Sequence, residues 1–237
     1  MVQRLRNSVR GLRDLFFPRR CIVCGRPLQL DEKEICPECF AGMPLTWFWD
    51  WTQNAAFERM AAKIEIEAAA SFIRFGGLSP YRRIQYGIKY RGRQELGYRM
   101  GRLFGGYLAG SREFRNIDIV VPVPLHPLRR WNRGYNQAEV IASGIADALG
   151  KPLETDLVRR SRYTRSQTKL SGAAKSRNVS GAFAAYPRRA GELAREGVRN
   201  VLLVDDVMTT GATLAACASV LTPVFRIYIA SLAFVGE

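Results

Sequence analysis

Runs of branched apolar residues predict strands that are buried on both faces. They lie at 201–204 (VLLV), 117–123 (IDIVVPV) and 227–235, with a further strand-like stretch at 64–75. Buried runs of this kind are typical of a parallel sheet. Four other segments are predicted to be helical: 81–90, 94–108, 138–149 and 214–221. The alternation of strands and helices predicts an α/β fold with a parallel sheet flanked by helices.

Polar residues follow the predicted strand at 201–204. Asp205 and Asp206 come first, and a Thr/Gly loop at 209–213 (TTGAT) leads into the next helix. Gly211 lets the backbone approach a ligand, and the loop hydroxyls and free N–H groups can bind a phosphate. The carboxylates can accept hydrogen bonds from two neighbouring ribose hydroxyls. The sequence therefore indicates a site for a 5′-phosphorylated sugar, and no Lys follows the glycine as a Walker A loop requires.

The strand at 117–123 is followed by a second polar stretch with the same layout. A proline-rich loop at 122–127 precedes Arg129 and Arg133, whose planar guanidinium groups suit phosphate oxygens. We expect the two strand ends to meet over one ligand, because ligands of open α/β sheets bind at the carboxyl ends of strands. His126 is the single histidine, and a structural role is favoured over acid–base chemistry.

Four cysteines form two Cys-x-x-Cys pairs near the N-terminus: Cys21, Cys24, Cys36 and Cys39. Each pair can direct two thiolates at one metal ion, and together they predict a closed tetrahedral Zn²⁺ site with a structural role. The alternative, a small fold with unmetallated cysteines, is disfavoured because so short a segment can hardly form a stable core without a cross-link such as a metal ion.

The charge balance points to an anionic partner. The 237 residues contain 36 Lys+Arg and 21 Asp+Glu, which gives a net charge of +15. Polyphosphate, nucleic acid and acidic surfaces all remain open on this ground. The chain shows no secretory signal in its arginine-rich first residues and no membrane span, so a soluble, cytoplasmic protein is expected.

The chain is predicted to divide into two domains, with an N-terminal basic helix and zinc ribbon at 1–45 and an α/β domain at 46–237. For the amphipathic segment at 1–17, packing on its own protein is favoured over a membrane or nucleic-acid arm. The aromatic run at 47–51 is interpreted as the seal between the domains, with stacking on single-stranded bases as the alternative. The polar segment at 159–183 predicts a long, mobile loop.

Residues 201–213 resemble the phosphoribosyl pyrophosphate (PRPP) signature of type I phosphoribosyltransferases at every position. This resemblance implies the phosphoribosyltransferase fold, with Asp205 and Asp206 as catalytic residues on the ribose hydroxyls. It also implies that Mg²⁺ binds with PRPP. The implied PRPP-binding residues are Val207, Met208, Thr209, Thr210, Gly211, Ala212, Thr213, Pro124, Leu125, Arg129 and Arg133.

Further motifs resemble the ComF family, amidophosphoribosyltransferase-like bacterial proteins linked to DNA uptake and utilisation. Besides the cysteines, they are at 89–92 (KYRG), 122–125 (PVPL), 133–138 (RGYNQA) and 164–183. The resemblance implies a flexible loop that folds over PRPP, with Thr164, Gln167, Lys169 and Arg177.

The implied function is binding or transfer of phosphoribosyl groups in DNA uptake (competence) or utilisation, with transfer favoured. Two alternatives stay open: a non-catalytic accessory protein that binds single-stranded DNA, and a regulator that senses PRPP. Candidate partners are PRPP, single-stranded DNA and a DNA-uptake helicase.

Overall fold

The computed structural model describes residues 19–161 and 181–236. Its helices are α1 (Pro37–Ala41), α2 (Ala55–Ala61), α3 (Arg82–Tyr90), α4 (Gln94–Gly110), α5 (Pro127–Arg133), α6 (Gln137–Leu149), α7 (Pro187–Arg195) and α8 (Ala212–Ala218). Its strands are β1 (Ala68–Phe75), β2 (Ile119–Pro122), β3 (Val158–Arg160), β4 (Phe183–Ala185), β5 (Asn200–Met208) and β6 (Arg226–Val235). The predicted helix at 1–17 lies outside the described residues.

The central sheet is parallel and has the strand order β1-β6-β5-β2. Residues 201–204 at the centre of the sheet are fully buried, as the run of branched apolar residues predicts. Val201 of β5 pairs with Ile119 of β2, and Val204 pairs with Pro122. The two carboxyl ends therefore lie side by side at one edge, and the prediction of a parallel sheet flanked by helices is confirmed.

Three predicted boundaries were wrong. β5 continues to Met208, so Asp205 and Asp206 lie within the second half of the strand rather than after it. Residues 64–67 precede β1 without joining it, and α8 ends at Ala218 instead of 221. The ends of the predicted loop at 159–183 belong to β3 and β4, which pair antiparallel, and residues 162–180 between them lie outside the described part of the chain. Apolar periodicity does not mark such ends, since backbone pairing continues through polar positions.

Helices α4 and α6 cross at glycines. A Cβ atom on Gly101 of α4 would clash with the carbonyl oxygen of Ile141, and one on Gly144 of α6 would clash with that of Tyr98. The two helix backbones are therefore in direct contact, which only glycine permits. Because α6 also packs on β2 and β5, this pair fixes α4 against the sheet.

The cysteine-containing segment packs on α3 and the start of α4. Arg83 Nη1 donates to the Val23 carbonyl oxygen at 2.5 Å, and Arg93 Nη1 lies 2.5 Å from the Glu34 carboxylate. One hydrophobic core runs from this segment into the sheet. The division into domains at 45/46 stays a prediction.

The aromatic run at 47–51 is split between core and surface. Phe48 and Trp49 are buried, and the Trp49 ring lies 5.9 Å from that of Phe104 in α4. Trp47 and Trp51 remain exposed. Phe48 and Trp49 thus pack in the core of the α/β part, on Phe234, Phe72 and Phe104, and the role of the run as a seal between domains stays a prediction.

Within the described residues, no helix combines the length and the apolar character needed to cross a membrane.

Candidate functional site

The carboxyl end of β5 and the loop after it form a small polar cleft. Asp205, Val207 and the whole loop Thr209–Thr213 line it together with Leu214. Gly211 has a φ of +74°, in the left-handed region that favours glycine. This conformation turns the chain from β5 into α8, so that the loop closes one end of the cleft. Met208, which the resemblance placed among the PRPP-binding residues, is fully buried and does not line the cleft.

The two carboxylates occupy unequal positions. Asp205 and Asp206 are both half-buried, and successive strand residues point to opposite faces. The Asp206 N–H donates to Asp205 Oδ1 at 2.8 Å. Burial, and then the negative charge of Asp206, raise the pKa of Asp205 well above its usual range.

The raised pKa of Asp205 determines how the free energy of unfolding changes with pH. The folded state binds the proton of Asp205 more tightly than the unfolded state does. The free energy of unfolding therefore falls as pH rises from the ordinary Asp range through the raised pKa. Ionisation of Asp205 therefore lowers the free energy of unfolding at neutral pH, as is common for a carboxylate that serves in binding.

Arg160, at the end of β3, contributes a cation that the sequence analysis missed. Its pKa is lowered by burial and then by the positive charge of Arg129, while the negative charge of Asp205 opposes the shift. Its guanidinium lies 5.2 Å from the centre of the Phe183 ring in β4. Arg129, Arg160 and Asp205 therefore share one electrostatic neighbourhood. No sequence pattern indicated this role, because Arg160 falls in the segment that we predicted to be a mobile loop.

Arg59 in α2 binds the backbone of the Thr/Gly loop outside the cleft. The sequence analysis missed this residue as well. Its Nη1 donates to the carbonyl oxygens of Thr209 and, at 2.7 Å, of Val235. The guanidinium stacks 4.0 Å from the centre of the Phe234 ring. These contacts join the loop to the last strand of the sheet, so Arg59 positions the loop without lining the cleft.

We expect Arg59→Met to weaken ligand binding at the Thr/Gly loop about tenfold, because a charge-assisted hydrogen bond to the loop is lost. Binding of PRPP, measured by calorimetry, reports the effect. The matched control is Arg74→Met, because the Arg74 guanidinium also stacks on Phe234, at 5.7 Å, and makes no hydrogen bond to the loop within the described residues. Equal losses in the two variants would contradict a positioning role for Arg59.

The loop after β2 is fixed beside β5. The Val123 N–H donates to the Val204 carbonyl oxygen at 2.8 Å, and the Asn136 side chain donates to the Val123 carbonyl oxygen at 3.0 Å. Pro124 and Leu125 follow, half-buried. His126 caps α5, since its Nδ1 accepts from the Leu128 N–H at 3.3 Å. This contact supports the structural role that we predicted for the histidine.

The two predicted arginines of α5 separate. Arg129 shares the neighbourhood of Arg160 and Asp205. Arg133 Nη1 instead donates to Gln137 Oε1 at 2.9 Å, and its guanidinium lies 5.7 Å from the Tyr90 ring. Four predicted loop residues lie outside the described part of the chain: Thr164, Gln167, Lys169 and Arg177.

The four cysteines of the ribbon meet as predicted. Their Sγ atoms all lie within 4.8 Å of one another, and those of Cys24 and Cys36 are 3.8 Å apart. Four Zn–S bonds of 2.3 Å in a tetrahedron require S–S separations of about 3.8 Å, so the group fits Zn²⁺. The Cys36 N–H also donates to Cys21 Sγ at 3.4 Å. All four ligand positions are taken by protein, which makes the site structural.

Cys217 lies apart from the ribbon, buried in α8. Burial, and then the negative charge of Asp205, raise the pKa of its thiol. It is a neutral core residue.

Fold and site together define a class of protein: a parallel α/β domain with an acidic pair and a Thr/Gly loop at its carboxyl edge, joined to a four-cysteine ribbon. The double zinc ribbon domain family matches residues 12–47.

Curated relatives extend this description. The chain is 29% identical over 204 residues to the DNA utilization protein YhgH of Escherichia coli (strain K12), covering 85% of this chain and 83% of the relative. It is 36% identical over 104 residues to Competence protein F of Haemophilus influenzae, covering 44% of each chain. These similarities confirm the resemblance to the ComF family.

A solved structure is also similar, the glutamine PRPP amidotransferase of B. subtilis complexed with ADP and GMP. It is 19% identical, with a TM-score of 0.37 over 62% of this chain. This chain spans 30% of that protein's length.

Proposed function

We propose that the chain binds PRPP at the carboxyl edge of the sheet and acts as a phosphoribosyltransferase-like protein in DNA uptake or utilisation. The observation that carries the proposal is the cleft in which Asp205 and the loop Thr209–Thr213 face one ligand volume. Acceptors for ribose hydroxyls and donors to a phosphate thus line one cleft. The names of the curated relatives support the biological setting, and a cytoplasmic location is part of the proposal.

Each part of PRPP has a partner in this arrangement. Asp205 and Asp206 accept hydrogen bonds from the ribose hydroxyls, which requires ionised carboxylates. The N–H groups and hydroxyls of Thr209–Thr213 donate to the 5′-phosphate. The loop with Pro124 and Leu125 takes the pyrophosphate at the neighbouring strand end.

Positive charge is available where the pyrophosphate would lie. Arg129 and Arg160 carry charges close to Asp205, and Arg binds phosphate oxygens with two parallel hydrogen bonds. Mg²⁺ belongs to the proposal as a counter-ion of the pyrophosphate, and it takes carboxylate and phosphate oxygens as ligands. Asp205 and Asp206 are the carboxylates that we assign to it.

The proposed transfer forms one bond at C1 of the ribose and breaks another. An acceptor donates an electron pair to C1, and the bond from C1 to the pyrophosphate oxygen breaks. Pyrophosphate leaves with the electrons of that bond, while the arginines balance its charge. Release of pyrophosphate upon addition of an acceptor separates transfer from mere sensing of PRPP.

Calorimetric titration of PRPP with Mg²⁺ into the wild type and the Asp205→Asn/Asp206→Asn variant tests the proposal. We expect the variant to bind at least about 100-fold more weakly, because two charge-assisted contacts to the ribose are lost. Since ionised Asp205 costs stability, thermal unfolding at pH 7 should show a variant at least as stable as the wild type.

The matched control is Asp118→Asn. Asp118 accepts from the N–H groups of Arg199 and Asn200 at the opposite end of β5. This variant should lose some stability and keep its affinity for PRPP. Unchanged affinity in the Asp205/Asp206 variant, or the absence of binding to the wild type, would overturn the proposed function.

A further inference from the structure

An apolar groove of about 520 Å³ lies between the ribbon and α4. Leu96, Met100 and Leu103 line it from α4, at a spacing that puts the three side chains on one face of the helix. Ile35 and Phe40 line it from the ribbon. Phe40 is 51% exposed and Leu103 is half-buried, so the groove presents apolar surface that no described residue covers.

The rim of this groove is acidic on balance, although the chain as a whole has a net charge of +15. The charged residues that line it are Asp31, Glu32, Glu34, Lys33 and Arg99. Glu32 pairs with Arg26, and Glu34 pairs with Arg93. Asp31 is exposed, and within residues 19–161 and 181–236 no cation lies at ion-pair distance from it. Its carboxylate is therefore available to a cationic segment that docks in the groove.

The described part of the chain begins beside the groove. Arg19 Nη1 donates to the Glu32 carbonyl oxygen at 2.6 Å, and its Nη2 donates to that of Gln29 at 3.0 Å. The Leu28 N–H donates to the Arg19 carbonyl oxygen at 2.7 Å. Backbone and side chain thus fix Arg19 next to the stretch that supplies Asp31 and Glu32 to the rim. The residues that precede Arg19 start from this rim.

The segment at 1–17 lies outside the described residues, and its sequence complements the groove. Its apolar residues recur at helical spacing with arginines between them, at Leu5, Val9, Leu12 and Phe16. Val9 and Phe16 are seven positions apart, as are the first and last apolar residues of the groove on α4, and both spans measure about 10 Å in a helix. Three residues of chain reach at most about 11 Å, so Phe16 stays close to Arg19.

We propose that the segment at 1–17 docks as an amphipathic helix in the groove between the ribbon and α4. Its apolar stripe covers Phe40 and Leu103, and its arginines face the acidic rim at Asp31. The charge complementarity, the equal lengths and the position of Arg19 favour this segment over a separate partner. A helix of this length is marginal in water by itself, so its stability comes from the apolar face on which it packs.

Hydrogen exchange of the zinc-loaded full chain, followed by mass spectrometry, tests the docking. We expect the backbone amides at 5–16 to exchange about 100-fold more slowly than those of an unstructured chain. Phe40→Ser should raise their exchange rate about tenfold, because a large apolar contact in the groove is lost. Asp31→Lys should raise it about twofold at low salt and have no effect at about 1 M salt, where exposed charges are screened.

The matched control for Phe40→Ser is Trp51→Ser. Trp51 is another exposed aromatic residue, at 64%, and it does not line the groove. This variant should leave exchange at 5–16 unchanged. Equal increases in Phe40→Ser and Trp51→Ser would overturn the assignment of the groove. Zinc content like that of the wild type shows that the ribbon of each variant is folded.

The reverse experiment uses Leu12→Ser/Phe16→Ser. The amides of α1, which carries Phe40, should then exchange faster, while zinc content stays the same. Unchanged exchange in α1 would contradict the docking, as would unprotected amides at 5–16 in the wild type. Protection at 5–16 that disappears on dilution would assign the groove to the segment of a second copy and would also overturn the proposal.

Discussion

Replacing Cys36 with serine is expected to remove the zinc ion and to unfold the ribbon. Cys36 is buried, and its Sγ lies 3.8 Å from that of Cys24 in the four-thiolate group. In a closed structural site the metal supplies folding free energy directly. We expect a loss of about 4 kcal/mol or more, because removal of a metal belongs to the most damaging kinds of substitution.

The damage should extend beyond the ribbon. A Cβ atom on Gly87 of α3 would clash with Ile22 Cδ1, so the turn between Cys21 and Cys24 packs on α3 without a gap. Thermal unfolding should therefore shift by about 8–16 °C for a chain of this size. Elemental analysis measures the zinc content, and a thermal unfolding curve measures the shift in unfolding temperature.

Cys217→Ala is the control for this prediction. It removes a buried thiol from α8 and leaves the four ribbon cysteines intact, so zinc content should stay at one per chain. A Cys36→Ser variant that keeps stoichiometric zinc and unfolds like the wild type would contradict the structural role of the metal.

Replacing Gly211 with valine is expected to abolish PRPP binding. Gly211 has a φ of +74°, and a branched side chain is strained there by about 1–3 kcal/mol. A Cβ atom would also lie 2.9 Å from Sδ of Met60, which is fully buried in α2. The loop must therefore move, and the loss of two phosphate contacts lowers the affinity by about 100-fold or more.

Gly150→Val separates backbone strain from loss of the site. Gly150 ends α6 with a φ of +61°, and no atom lies within 4 Å of the position of its Cβ. Both variants should unfold at lower temperature, whereas only Gly211→Val should fail to bind PRPP in calorimetry. Wild-type affinity in Gly211→Val would show that the Thr/Gly loop does not hold the phosphate.

The parts of the fold that local sequence determines could be predicted. The branched apolar run at 201–204 indicates a buried parallel strand because each of its residues packs on one face of the sheet. The cysteine spacing likewise defines a metal site within one short segment. The end of β5 could not be predicted, since the pairing with β6 continues through Asp205, a position that looks polar, to Met208.

The residues that the sequence analysis missed share one property: they lie far along the chain from the site residues that they contact. Arg59 and Thr209 are 150 positions apart, and only the closure of the sheet next to α2 brings them together. Arg160 reaches the neighbourhood of Asp205 through the pairing of β3 with β4. No periodicity or spacing within a segment encodes such contacts, because they depend on the path of the whole chain.

The glycine crossing of α4 and α6 has a mechanical consequence. Because Gly101 and Gly144 bring the two backbones into direct contact, neither helix can slide past the other without steric overlap. Arg93, just before α4, is tied to Glu34 of the ribbon, and Asn136, just before α6, holds the carbonyl of Val123. The crossing therefore fixes the starts of α4 and α6 relative to each other, and with them the ribbon contact at Arg93 and the loop after β2.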